Sequence, residues 1–141
     1  MKLTLDIENT VTKRDGKIHL DPFEPENSLT MIGVLTDQDV ERHFPFDHCD
    51  VPNQQHFYEQ VQWFLDEATI LICHNAAYDL MWLWESGFKY DGPVFDTMLA
   101  EYVLQRGIKE PLSLQACAER YELDTKKQDT LKEYFAKGYS T

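Results

Sequence analysis

Residues 69–73, Thr-Ile-Leu-Ile-Cys, form an uncharged and almost wholly apolar run in a chain that carries 25 acids among 141 residues. So short an apolar stretch is expected of a strand buried on both faces, the kind found in parallel sheets. It runs directly into AAYDLMWLWES (76–86), which reads as a helix stopped by Gly87. A buried strand feeding a helix is half of a strand–helix–strand unit, and such units build α/β folds.

The rest of the chain fits around that unit. KLTLDI (2–7) alternates as a strand does, and LTMIGVLT (29–36) is β-branched and apolar. Between them, residues 9–28 are turn-rich, punctuated by Asp15-Gly16, Pro22, Pro25 and Asn27. ERHFPFDH (41–48) reads as a short edge strand, because Pro45 would cost a ladder bond in a central one. From Gln55 to Glu67 the period changes: Phe57, Val61, Phe64, Leu65 and Ala68 share one helical face. PVF (93–95) reads as a third buried strand, with Asp96 placed to cap the helix TMLAEYVLQ. Two further helices are expected over 113–122 and 128–137. Antiparallel strands first and βαβα afterwards predict a mixed sheet with helices packed on it.

At 141 residues the chain is expected to be one domain, burying roughly 68–70% of its unfolded surface. No apolar run approaches the ~18 residues that would suggest a membrane span, and a strand pattern begins at Lys2, so neither a signal nor a transit peptide is expected. The three cysteines, Cys49, Cys73 and Cys117, are far apart and form no CxxC, so a reducing intracellular setting is expected. A net charge of −12 argues against tight, non-specific duplex binding. It leaves open metal-dependent chemistry on a strand end, where divalent cations supply the positive charge that clustered carboxylates attract.

Three places carry candidate chemistry. Asp6 and Glu8 project from the same face of the first strand, while Leu3, Leu5 and Ile7 take the other. They read either as hydrated acids or as a pair compensated by a cation. In HNAAYD (74–79), Asn75 is a good N-cap and Asp79 borders a strongly apolar segment, where helix-dipole stabilisation is the bland explanation. His74 reads as a structural hydrogen-bonding residue, and Tyr78 either packs or stacks on a base. His19, His43, His48 and His56 lack metal-ligand spacing and read as surface residues. Asp96-Thr97 is a capping signature first and a metal-ligand candidate second.

Taken in order, DIE, then an apolar strand into HNAAYD, then FDTMLAEYVL resemble the DEDD superfamily of 3′–5′ exonucleases. More narrowly, the chain is similar to the proofreading domain of family-A DNA polymerases, particularly those of bacteriophages, and LDPFEPENSLTMIGV belongs to the likeness. The resemblance runs from Lys2 to about Tyr139. It implies an RNase H-like α/β fold, with Asp6, Glu8 and Asp79 as catalytic metal ligands for two divalent ions, Mg²⁺ or Mn²⁺. It implies substrate contacts for Asn75, Tyr78 and Thr10, and a single-stranded DNA 3′ end as substrate, with RNA left open. A fused or separate polymerase domain and a cytoplasmic setting, in bacteria or phage-infected cells, go with it. The family also uses a fourth carboxylate in a later YxxxD or HxxxD. The nearest spellings are Tyr121 to Asp124, one residue too short, and His43 to Asp47, in the wrong place, while Tyr134 and Tyr139 have no acid at the fourth position. The chain is therefore expected to stop before the helix that carries this motif, with metal binding weakened and turnover poor or absent. A non-catalytic scaffold and an acidic phosphate mimic are the competing expectations.

Overall fold

The computed structural model describes residues 1–46, 54–124 and 136–137. It divides into two compact units, Met1–Thr97 and Met98–Thr141.

The first unit is a mixed sheet with helices. Strand β1 (Lys2–Asn9) is central. The β2 (Thr12–Arg14) and β3 (Lys17–His19) strands form a separate ribbon, followed by β4 (Leu29–Thr36) and β5 (Glu41–Pro45). Helix α1 (Gln54–Glu67), β6 (Ile70–Cys73), α2 (Ala76–Glu85) and β7 (Val94–Asp96) complete it. The main sheet has the order β5-β4-β1-β6-β7, with β5, β4 and β1 antiparallel and β1, β6 and β7 parallel. This is the mixed α/β arrangement expected, and it is the RNase H-like fold.

Alternation along β1 decides which face is core. Leu3, Leu5 and Ile7 are buried, while Thr4, Asp6 and Glu8 are exposed. Ile32 and Val34 of β4, Val61, Phe64 and Leu65 of α1, and Trp82 and Leu83 of α2 join the same core. Each such aliphatic or aromatic side chain contributes about 1.5–3 kcal/mol by leaving water. Helix α2 ends as its sequence implies: Ser86 caps it and Gly87 follows at φ +92°, the left-handed region that glycine enters most easily.

Three local expectations need correction. Ile70 and Ile72 of β6 are only partly buried, so this strand is closed on one face rather than two. β7 is the edge of the sheet, not a buried strand, and leaves Val94 and Phe95 39% and 48% exposed. The turn-rich stretch after β1 holds a two-stranded ribbon, turning at Asp15 (φ 53°) and Gly16 (φ 75°). Two successive positive φ angles are what a two-residue hairpin loop needs. Finally, Asp96 also caps α2, its oxygens accepting from the Asn75 and Ala76 N–H groups.

The second unit takes over one residue into α3 (Thr97–Leu104) and includes α4 (Leu114–Arg120). Ser113 caps α4, its hydroxyl accepting from the Ala116 N–H at 3.1 Å. Glu101 of α3 is 8% exposed; Arg120 Nη2 lies 3.2 Å from one of its oxygens and the Tyr121 hydroxyl donates to the other at 2.8 Å. The helix expected over 128–137 lies outside the described residues apart from 136–137, as do Asp47, His48, Cys49, Tyr134 and Tyr139. Among the described residues, no helix is long and apolar enough to cross a membrane.

Candidate functional site

The site is built where β1, β6 and β7 end. The ladder between β1 and β6 covers Lys2–Thr4 against Ile70–Ile72 and stops there. Past that point the Ile7 N–H has no partner in β6, and the Asp79 carboxylate, from the first turn of α2, accepts it. The Cys73 thiol donates to the same carboxylate. Asp79 is thereby 3% exposed.

A carboxylate so placed loses hydration it does not recover. Burial is the largest cause, and the neighbouring Asp6 adds to it, so the Asp79 carboxyl is pushed up from 3.8 to about 7. The two donors pull the other way and are outweighed; Asp96 adds a smaller upward push. The Cys73 thiol is raised for the same reasons, burial first and Asp79 next, which keeps it protonated and donating.

Asp6 and Glu8 stand together on the outer face of β1, as their spacing requires, and line a shallow groove of about 380 Å³. Its floor is Gly33, paired with Asp6 across the ladder, with Met31 and His43 at its sides. His43 and Glu41 of β5 are exposed and 2.8 Å apart. Among the described residues, no three His, Cys, Asp or Glu side chains gather as a metal-holding group. The structure thus sets Asp6 against Asp79 electrostatically and leaves Glu8 beside Asp6 on the strand face. Oxygen-only donors of this kind suit hard cations such as Mg²⁺ or Mn²⁺.

Asn75, at the N-cap of α2, adopts a left-handed conformation (φ 69°) and its side chain makes no capping bond. Asp96 replaces it from β7: its two oxygens accept from the Asn75 N–H at 3.0 Å and the Ala76 N–H at 2.9 Å. The Asn75 side chain is left exposed on the surface. His74 is structural, its Nδ1 2.8 Å from Thr97 Oγ1. The Tyr78 hydroxyl donates to Asn9 Oδ1 at 2.7 Å with its ring against the core. Thr10 ties two loops together, its Oγ1 accepting from the Ser28 N–H at 2.8 Å and its N–H donating to the Ser28 carbonyl at 2.9 Å. Both side chains are thus engaged in the loops beside the end of β1.

Sequence reasoning missed the thiol that supports Asp79 and the cross-strand cap from Asp96. The cap has no local signal because it depends on the register that sets Cys73 beside Asp96, and the thiol contact depends on how α2 folds back on the end of β6.

A sequence model for a family described as 3′–5′ exonuclease matches residues 19–137, most of the chain. The matched stretch contains Asp79 and Asp96 and begins beyond Asp6 and Glu8. No curated protein sequence matches. Among solved structures, one described as the apo form of a nuclease superposes with a TM-score of 0.60 at 19% identity, over 89% of this chain. This chain spans about half that nuclease, 54% of its length. The fold is shared, and on the sequence match the chain belongs to the 3′–5′ exonuclease family.

Proposed function

We propose that the chain is a proofreading-type exonuclease domain acting on single-stranded 3′ ends of DNA, with Asp6, Glu8 and Asp79 holding divalent cations. The observation that carries this reading is Asp79 itself. It is a buried carboxylate that faces a second acid, Asp6, and no cationic side chain pairs with it among the described residues. A buried, uncompensated charge is costly, and a bound cation is the simplest group to offset it.

When bound, Mg²⁺ or Mn²⁺ at such acids activates a water and offsets charge on a leaving 3′ oxygen. The chain's own residues prepare the place. Ile7 N–H and Cys73 orient the Asp79 carboxylate. Asp96 fixes the first turn of α2, from which Asp79 projects. Asn75 presents a free amide at the mouth of the site, suited to a terminal nucleotide or its phosphate. Tyr78 and Thr10, held by Asn9 and Ser28 beside the end of β1, are the further proposed substrate contacts. The C-terminal third of the given sequence spells no YxxxD or HxxxD, and turnover by this chain alone is expected to be slow.

The test is cleavage of a 5′-labelled single-stranded oligonucleotide by excess protein in Mn²⁺ or EDTA. Slow, stepwise shortening from the 3′ end, seen only with Mn²⁺ and lost in Asp6→Ala, is the expected result. Uncut substrate, or products unchanged in Asp6→Ala, would overturn the reading. One observation favours a second reading, a non-catalytic binding module: no three-ligand group forms among the described residues.

A further inference from the structure

Helix α1 has two faces. Val61, Phe64 and Leu65 turn into the core. On the other side Gln55, Tyr58, Glu59, Gln62, Trp63 and Asp66 recur at three- and four-residue spacing, which sets them along one face of the helix. They form one wall of a shallow groove of about 520 Å³, closed on its far side by Gly87 and Phe88. The groove is built rather than incidental. Gln62 ties its two sides together, donating to the Lys89 carbonyl and accepting from the Lys89 N–H, each at 2.9 Å. Tyr58 stacks on Phe88 with ring centroids 4.9 Å apart, and Trp63 stands edge-on to Phe64 at 5.1 Å.

Trp63 is 56% exposed. A single exposed apolar residue is ordinary on a surface, so its setting decides. Glu59 lies one turn before it and Asp66 just under a turn after it, and both are exposed. No lysine or arginine lines the groove, and among the described residues neither carboxylate makes an ion pair. Asp66 accepts from Gln62 Nε2 at 2.8 Å. The last turn of α1 holds no basic residue, and negative charge there opposes the helix dipole. The Met1 ammonium lies 3.4 Å from the Glu67 carbonyl, so it answers the helix end and not the Asp66 carboxylate. The two acids therefore do nothing evident for α1 itself. A cation from outside would relieve them.

Geometry selects the form in which such cations arrive. Glu59 and Asp66 are seven residues apart, which sets them ~10 Å apart along the axis and on one side of the helix. In a polyproline II segment, residues three apart stand about 9 Å from each other and on the same side. A β-strand would turn such a pair to opposite sides. Polyproline II segments also dock in aromatic-lined grooves, where their apolar rings meet aromatic faces. Arginine suits the charged positions better than lysine, because its planar guanidinium pairs with carboxylates and stacks on indole. We infer that the α1 groove is a docking site for a proline-rich segment of a partner protein with the pattern Arg-Pro-Pro-Arg. Its arginines meet Glu59 and Asp66, and its prolines lie on Trp63. No part of this inference rests on the exonuclease reading.

The experiment is a proton–nitrogen correlation NMR titration of the full chain with the peptide acetyl-Gly-Arg-Pro-Pro-Arg-Gly-amide. Saturable shifts should cluster at residues 55–66 and 87–88, with a dissociation constant at or below about 1 mM. Trp63→Ala, and Glu59→Gln combined with Asp66→Asn, should each weaken binding roughly fivefold. Asp15→Asn with Asp37→Asn removes as much charge elsewhere and should alter affinity by less than about twofold, because distant exposed charges are screened. Replacing both prolines of the peptide by glycine should also cost roughly fivefold, since a flexible backbone must be ordered on binding. Thermal unfolding of each variant confirms that it folds. Shifts spread over exposed acids throughout the chain, equal losses in the Asp15/Asp37 variant, or no saturable shift would overturn the inference. So would the same shifts from an equal concentration of spermidine, which would make the face a general cation site. A dimer in sedimentation velocity that Trp63→Ala dissolves would give the face to a second copy of the chain and overturn it as well.

Discussion

Three carboxylates are buried among the described residues, and they are not alike. Glu101 in the second unit is met by a guanidinium and a tyrosine hydroxyl, and Glu24 in the first by Arg14 at 2.9 Å. Asp79, the most buried of the three at 3% exposure, has a thiol, a backbone N–H and a second acid for company. The first two are acids that the fold has neutralised from its own residues. The third is left with a deficit of positive charge, and its proposed role as a metal ligand rests on that deficit.

The largest expected effect lies on the neutralised side. Among the described residues Arg120→Ala leaves Glu101 with only the Tyr121 hydroxyl, which should destabilise the second unit by roughly 3–5 kcal/mol. Urea unfolding measures it, and a loss below about 1 kcal/mol would mean that Glu101 is not dependent on its cation and the contrast with Asp79 is false.

Asp79→Asn should do the opposite. The folded state raises this carboxyl from 3.8 to about 7, so it binds a proton that the unfolded chain releases. Its contribution is full below pH ~4 and is lost as pH rises toward ~7, by on the order of 2–4 kcal/mol in metal-free protein. Asparagine removes the titration. In EDTA the variant should be the more stable protein at pH 8, with a flatter stability profile between pH 5 and 8. A variant less stable than wild type at pH 8 would show that Asp79 is a structural acid.

Asp6→Asn sharpens the comparison further, since it removes only the second cause of the shift. It should stabilise the metal-free protein at pH 8 by about 1 kcal/mol, less than Asp79→Asn does. An effect equal to that of Asp79→Asn would make repulsion, not burial, the main cause. Asn75→Gly should be the smallest: it relieves a left-handed residue but loosens the unfolded chain, for a net change within about 0.5 kcal/mol. Any larger loss of cleavage in that variant would then belong to the exposed amide and not to the fold.

The difference between the two kinds of acid also shows what the sequence could convey. Period alone places β1, β4, α1 and α2, because alternating and helical patterns state which side is buried. DIE and HNAAYD were joined as one expected site only through their resemblance to the exonuclease family, because each read alone also fits hydrated, capping or helix-dipole acids. The Asp15-Gly16 pair held a hairpin signal as strong as any two residues give, yet the turns around it read as one irregular loop. Partners across the sheet were illegible. That Asp96 caps α2 depends on the β6–β7 register, while Cys73 with Asp79 and Arg120 with Glu101 meet only when a helix folds back on its neighbouring element. The edge position of β7 was hidden for the same reason: an apolar tripeptide looks the same at the rim of a sheet as at its centre.

The most direct test of the central claim is thermal unfolding at pH 8 in EDTA and in Mn²⁺, for the wild type, Asp6→Ala and Arg14→Ala. If Asp79 and Asp6 await a cation, Mn²⁺ raises the wild-type and Arg14→Ala midpoints and leaves that of Asp6→Ala unmoved. An equal Mn²⁺ shift in all three proteins, or none in any, would contradict the account.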